Sequence, residues 1–442
     1  MNTAEWLEKG ASMLRPGSKA GVRSTQERLK GALRHDDEAL SPRQLRRLLD
    51  QLKGIVDPML SEVEGGSRAQ ALMAWYAKAS LPERKDLWLL MSEQFVADAE
   101  QIKAAQAQFA AAVGTPDEAA AEVLYRRATV SPRRRILQRF SAHPEGIRFL
   151  VDVRAEMQPH LKGDKRLVAL DVEMEYMFST WFDVGFLELR RISWDSPASL
   201  VEKLIKYEAV HDIRSWADVK NRLDGDRRCY GFFHPRLPEE PLIFVEVALM
   251  NEIADCITPL LDEEAAAVDI AKANTAIFYS ISNTQNGLRG VSFGDSLIKR
   301  VVETLHQEFP KLKVFVTLSP IPGLRAWLNK HAPAELLKSW ENLEQLTEAA
   351  PERKALLGWA ARYLGKEMQG GKPLDPVARF HLGNGARVER LNWAGDPSNK
   401  GSKQSYGLMV NYLYDLKRLE KHRAWLAQGK IPIAAAIEDL YL

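Results

Sequence analysis

The sequence predicts an α+β chain in two parts, an all-α helical bundle over residues 1–180 followed by an α/β unit over residues 181–442. Three observations carry this. In the first part proline recurs where helices begin, at Ser41-Pro42, Leu81-Pro82-Glu83, Thr115-Pro116-Asp117, Ser131-Pro132 and His143-Pro144-Glu145. The first turn of a helix has no use for its N–H groups, so proline is tolerated there and marks a fresh start. In the second part short apolar runs rich in β-branched and aromatic residues appear between turn signals, which is the strand pattern. Finally, Asn274 to Gly323 reads as strand, glycine-bearing loop, amphipathic helix and second strand, a crossover that needs a parallel sheet.

Within the bundle, LRRLLDQL, LWLLMSEQFVADAEQI, AAAEVLYRRA and IRFLVDVRAEM follow those starts with apolar residues three and four apart, and no run reads as a strand. The basic run Arg133, Arg134, Arg135 with Arg139 lies on one short helix without interleaved aromatics. It therefore reads as a solvated face or a contact between subunits and not as a nucleic-acid surface. His35, His143 and His160 lack metal-ligand spacing.

Composition narrows the function classes. With 61 Lys and Arg against 59 Asp and Glu, the net charge of +2 provides no global field toward nucleic acid or membrane, so an anionic ligand has to be held locally. Cys229 and Cys256 are the only cysteines, which excludes a disulfide framework and a cysteine zinc cluster. No apolar run approaches the roughly 20 residues that cross a bilayer. The N-terminus lacks an Arg-rich leader and the end, Glu438 to Leu442, lacks a Ser-Lys-Leu tail, so a cytoplasmic protein is expected.

After Trp181-Phe182 the texture changes. GFLELRRISW (Gly185 to Trp194), CYGFFHP (Cys229 to Pro235) and PLIFVEVALM (Pro241 to Met250) read as strands, with a helix from Pro197 to about Tyr207 between the first two. AIFYSI (Ala276 to Ile281) and LKVFVTL (Leu312 to Leu318) are the strands of the crossover, and Leu297, Val301, Val302, Leu305 and Phe309 are the apolar stripe of its helix. Ser280 and Ser319 then fall at or near the C-terminal ends of neighbouring parallel strands, the edge where ligands bind in such sheets.

On that edge lies RGVSFGDSLI, Arg289 to Ile298. A helix start with free N–H groups attracts phosphate, and Arg289, Gly290, Val291, Ser292, Phe293, Gly294 and Asp295 form the candidate loop. It resembles the pyrophosphate loop of GNAT-type acyltransferases, with Ser292 where that pattern has its middle glycine; an ordinary strand-to-helix turn fits the spacing equally well. The architecture adds support, because the strands build up to the same crossover.

Phe380 to Leu416 carries more local detail than a core requires. His381 stands before Gly383-Asn384-Gly385, and an exposed Asn392-Trp393, a polar loop and Tyr406, Asn411, Tyr412 and Tyr414 follow, as one wall of a pocket would. Spacing alone leaves His381 open to a second reading, a buried, hydrogen-bonded imidazole.

Together FYSIS-x-TQ-x-GL-x-GV-x-x-G-x-x-LIKRVV, LSPIPG, FHL-x-NGA, NW and GLM-x-NY-x-Y are similar to the malonyl-CoA decarboxylase family. The resemblance extends back through WFDVGFLELRRISWDSPASLVEKL, YEAVHDI and RRCYGFFHP, and the helical part is similar to the family's N-terminal domain. It implies a helical oligomerisation domain and a GNAT-like acyl-CoA-binding catalytic domain, acting on malonyl-CoA to give acetyl-CoA and CO2 without metal or organic cofactor, in a homo-oligomer. It also implies Ser319 and His381 as the catalytic pair, Arg289 to Asp295 as the substrate loop, and Ser280 and Tyr414 as further lining residues. Ser292 stands where animal members tend to have a glutamate, which leaves a carboxylate role there unfilled. His381 is then expected to give the proton to carbon while Ser319 orients the malonyl carboxylate. A GNAT-type N-acyltransferase and a non-catalytic acyl-CoA-binding regulator are the alternative readings.

Overall fold

The structure is a computed structural model that describes residues 23–35, 38–57, 59–291, 293, 297–341 and 350–441. Three residues of the candidate loop, Ser292, Gly294 and Asp295, lie outside the described residues. The chain divides into two units, Met1–Met177 and Phe178–Leu442, and the division falls inside the helix Val168–Trp181.

No strand occurs among the described residues of the first unit. Its helices begin where side chains satisfy their free N–H groups. Ser24 with Glu27, Ser41 with Gln44 and Ser80 with Glu83 form reciprocal capping boxes, and Pro42 and Pro82 occupy the first turn of their helices. In Pro42–Val56 the stripe Leu45, Leu48, Leu49, Leu52 and Ile55 is buried, as helical spacing requires. The basic run behaves differently from its reading as a solvated face. Arg133 is buried and donates to the Ser92 carbonyl at 2.5 Å, while Arg134 pairs with Glu173 at 2.9 Å and lies over the Tyr176 ring.

The second unit is built on an eight-stranded sheet. In chain order its strands are β1 (Glu188–Ile192), β2 (Arg227–His234), β3 (Leu237–Met250), β4 (Thr275–Asn283), β5 (Val314–Thr317) and β6 (Ser319–Pro320). A separate hairpin, β7 (Met368–Gln369) and β8 (Lys372–Pro373), precedes the last two sheet strands, β9 (Arg387–Asn392) and β10 (Met409–Leu413). The spatial order is β1-β2-β3-β4-β5-β10-β6, with β9 on β10. β4 and β5 are parallel and their neighbours antiparallel. The helix Leu297–Glu308 makes the crossover and buries Leu297, Ile298, Val301, Val302 and Leu305.

Two features of β4 shape the site. Its register with β3 slips by one residue, pairing Val247 with Phe278 and Glu246 with Ser280, so that Tyr279 is the extra residue of a bulge. Its pairing with β5 runs from Thr275 opposite Val314 to Phe278 opposite Thr317 and then ends with Leu318 donating to the Phe278 carbonyl at 2.9 Å. Beyond that point the chain leaves β4, and Ser319 pairs with Val410 of β10. The sheet is thus opened between the end of β4 and β6.

Candidate active site

Ser319 and His381, 62 residues apart in sequence, meet with Oγ and Nε2 3.3 Å apart. Ser319 is placed by the strand end that turns away from β4, and its Oγ donates to Thr317 Oγ1 at 2.8 Å. His381 is carried in the last turn of the helix Pro376–Gly383, which Asp375 caps by accepting from the N–H groups of Val377 and Ala378 at 2.9 and 3.0 Å. The same carboxylate accepts from the Gly323 N–H and from the Tyr363 hydroxyl, each at 3.3 Å. Asp375 therefore ties the LSPIPG segment to the helix of the imidazole. Gly323 has to be glycine for this contact, since a Cβ there would lie 2.1 Å from Tyr363 Oη.

The imidazole is held on its other side by Tyr414, whose Oη is 2.7 Å from Nδ1, and it stacks on Tyr412 with ring centroids 4.7 Å apart. Burial without a charged neighbour pushes His381 down to about 3, so the ring is neutral near pH 7, and burial pushes the Tyr414 phenol well above its usual range. The segment read as an exposed wall is mostly interior. Asn392 is buried and donates to Asn411 Oδ1 at 2.9 Å, and Asn411 Nδ2 in turn donates to the Thr317 carbonyl at 2.7 Å. Trp393 is half-buried under Arg353, and the polar loop contains the helix Asn399–Ser405.

The loop reaches the same place. Asn286–Leu288 forms a 3-10 turn, and Gly290 at φ +83° takes the left-handed conformation that side chains avoid. Val291 and Phe293 turn inward and, with Leu297 at the helix start, line one side of a cleft of about 320 Å³. Ile243 from β3, Ile281 and Asn283 from β4, and Pro376, Val377, Phe380 and His381 from the capped helix line the rest. One cleft thus joins the candidate phosphate loop to the imidazole.

Ser280 does not join this group. The bulge at Tyr279 shifts the alternation of β4, and Ser280 Oγ donates to the Glu208 carboxylate at 2.8 Å. Glu208 also accepts from Ser282 Oγ and from the N–H groups of Val210 and His211. The expectation that Ser280 lines the substrate site beside Ser319 is therefore corrected: Ser280 clasps β4 to the YEAVHDI segment. Ser280→Ala should lower stability by about 1–2 kcal/mol in urea denaturation, the cost of leaving a buried carboxylate short of a donor, with a smaller effect on KM. A KM raised more than about tenfold at unchanged stability would return Ser280 to the substrate.

Sequence reasoning missed Thr317, Asp375 and Glu208. Thr317 was legible, since it precedes Ser319 by two positions, the spacing that puts strand residues on one face. Among the described residues no group of three or more His, Cys, Asp or Glu is arranged to hold a metal ion.

An opened parallel pair, a loop leading to a helix and a cleft lined by His381 beside Ser319 define an α/β domain with a candidate Ser-His site, preceded in sequence by a helical unit. The sequence profile of the malonyl-CoA decarboxylase C-terminal domain matches residues 185–442, and that of the N-terminal domain matches residues 95–182. The chain belongs to the malonyl-CoA decarboxylase family. It is 37% identical over 335 residues to the mitochondrial malonyl-CoA decarboxylase of Anser anser anser, covering 65% of each chain. With the Mus musculus enzyme it shares 37% over 344 residues, 67% of this chain and 68% of that one. The solved malonyl-CoA decarboxylase of Rhodopseudomonas palustris superposes with a TM-score of 0.80 at 40% identity, covering 89% of this chain and 99% of that one. The Cupriavidus metallidurans enzyme gives 0.74 at 43% identity, covering 90% and 100%.

Proposed function

We propose that this chain is a carboxy-lyase that converts malonyl-CoA to acetyl-CoA and CO2, with Ser319 and His381 as the catalytic pair. The observation that carries the reading is the cleft running from Val291 and Phe293 to His381. A phosphate group held at the loop leaves the pantetheine arm to run along the opened edge of β4 toward the imidazole. Among the described residues that line this cleft none is Lys or Arg. That suits a decarboxylation, because a cation clamped on the carboxylate would stabilise the ground state just as the charge is about to leave it.

Loss of CO2 places negative charge on a thioester enolate, so the site has to stabilise that charge and supply one proton to carbon. Ser319 orients the malonyl carboxylate, and offers it a neutral donor once its hydroxyl turns from Thr317 to the bound substrate. His381 is neutral in the ligand-free chain, so the imidazole puts no cation beside the malonyl carboxylate before CO2 leaves. Once CO2 has left, the imidazole Nε2–H faces the enolate. Nε2–H is the proton nearest Ser319 and is delivered to carbon, directly or through the serine hydroxyl, while Nδ1 takes the Tyr414 Oη proton and solvent then restores it. Malonyl-CoA supplied alone should give CO2 and acetyl-CoA in equal amounts. A requirement for an amine acceptor would favour the transferase reading, and binding without turnover the regulator.

We also propose that the chain self-associates through its helical unit as a dimer or tetramer. Its described helices leave Val123, Leu124, Val172 and Tyr176 exposed, apolar surface that a partner subunit would cover. Light scattering that finds only monomer at micromolar concentration would contradict this.

A further inference from the structure

The Ser-His pair has two polarities, and they lead to different chemistry. If Ser319 points its proton at His381 Nε2, the imidazole is a base and the serine an activated nucleophile, the arrangement of an acyl-enzyme. If Nε2 carries the proton and points it at Ser319 Oγ, the imidazole is a donor. The hydrogen bonds around the pair choose between them, and the residue that makes the choice is Thr317.

Thr317 is fully buried at the end of β5, in register with Phe278 at the last rung before the sheet opens. Its Oγ1 accepts twice, from Ser319 Oγ at 2.8 Å and from the Tyr412 N–H at 3.1 Å. A backbone N–H can only donate, so it fills one acceptor position of the threonine, and the geometry has the Ser319 hydroxyl donating into the other. With its proton spent on Thr317, Ser319 Oγ meets His381 as an acceptor, which requires the proton on Nε2. Nδ1 then has no proton and accepts from Tyr414 Oη at 2.7 Å. The backbone that places Thr317 is itself fixed, because its carbonyl accepts from Asn411 Nδ2. Asn411 is anchored in turn by Asn392 and Arg390, so the NW and GLM-x-NY motifs act on the pair through Thr317.

We infer that Thr317 is a positioning residue that holds the Ser319 proton away from His381, fixes the imidazole as the Nε2–H tautomer, and so sets the pair to donate a proton instead of activating a nucleophile. This rests on the decarboxylase reading for its consequence in turnover, but not for its structural content.

The test separates the two. Imidazole nitrogen NMR on the ligand-free, 15N-histidine-labelled protein, with the His381 signals identified by their loss in His381→Asn, should show a protonated Nε2 and an unprotonated Nδ1. In Thr317→Val, which keeps the side-chain shape and removes the acceptor, the proton should move to Nδ1 in a substantial fraction of molecules. Thr317→Ser, which keeps the oxygen, should retain the Nε2–H form. Turnover should fall by about tenfold in Thr317→Val with KM within about twofold, and return to within about twofold of the parent in Thr317→Ser, the scale of one lost hydrogen bond. An Nδ1–H tautomer in the unaltered protein would overturn the inference without any variant having to fold. So would an unchanged tautomer in Thr317→Val. The tautomer pattern as stated, in a chain that leaves malonyl-CoA intact, would overturn the decarboxylase reading and leave the assignment to Thr317 standing.

Discussion

His381→Asn should lower the turnover of malonyl-CoA by about 100-fold to 10,000-fold, the range typical of a lost general acid, while CoA affinity stays within about threefold. Asparagine can still donate toward Ser319 but cannot take up and release a proton near neutral pH. The imidazole shares the cleft with the loop residues Val291 and Phe293 but is carried on a different element, the helix Pro376–Gly383, so binding and chemistry should separate. Ser319→Ala combined with His381→Asn should cost little beyond the more damaging single change, since groups that act as one unit are not additive. Near-normal turnover of His381→Asn, with the fold intact by circular dichroism, would place the proton donor elsewhere.

The second large effect belongs to the loop. Arg289→Glu should raise KM for malonyl-CoA by at least about tenfold, roughly 1.4 kcal/mol, with turnover at saturation changed by less than about threefold. Arg289 follows the 3-10 turn and precedes the left-handed Gly290, in the segment that leads in sequence to the helix Leu297–Glu308, and a helix start favours anions. Reversing its charge opposes the pyrophosphate without touching Ser319 or His381. Calorimetry that finds CoA binding unchanged in Arg289→Glu would move the phosphate away from this loop.

Much of this was legible in the residues because it depends on local periodicity. The strands β1 to β5, the helix Leu297–Glu308 and the helix Ala198–Tyr207 follow from apolar spacing and turn chemistry, and Ser319 and His381 do meet. What escaped depends on single-residue events and on tertiary context. A period of two assigns faces along β4 until one extra residue intervenes, and the bulge at Tyr279 puts Ser280 on Glu208. Asn392 reads as exposed by its polarity, yet it is buried because Asn411 satisfies it across the sheet, with Arg390 donating to it along its own strand. Arg133 likewise goes inside because the Ser92 carbonyl receives its guanidinium. Buried polar partners of this kind are long-range pairings that no spacing rule reveals.

The central claim is that Ser319 and His381 act on an enolate that stays attached to CoA. A rapid-quench single turnover of malonyl-CoA without any acceptor tests it, with CO2, acetyl-CoA and the intact mass of the protein followed together. The expected result is CO2 and acetyl-CoA appearing at one rate while the protein mass stays that of the unmodified chain. Transient acyl mass on Ser319, or no CO2 until an amine is added, would contradict it.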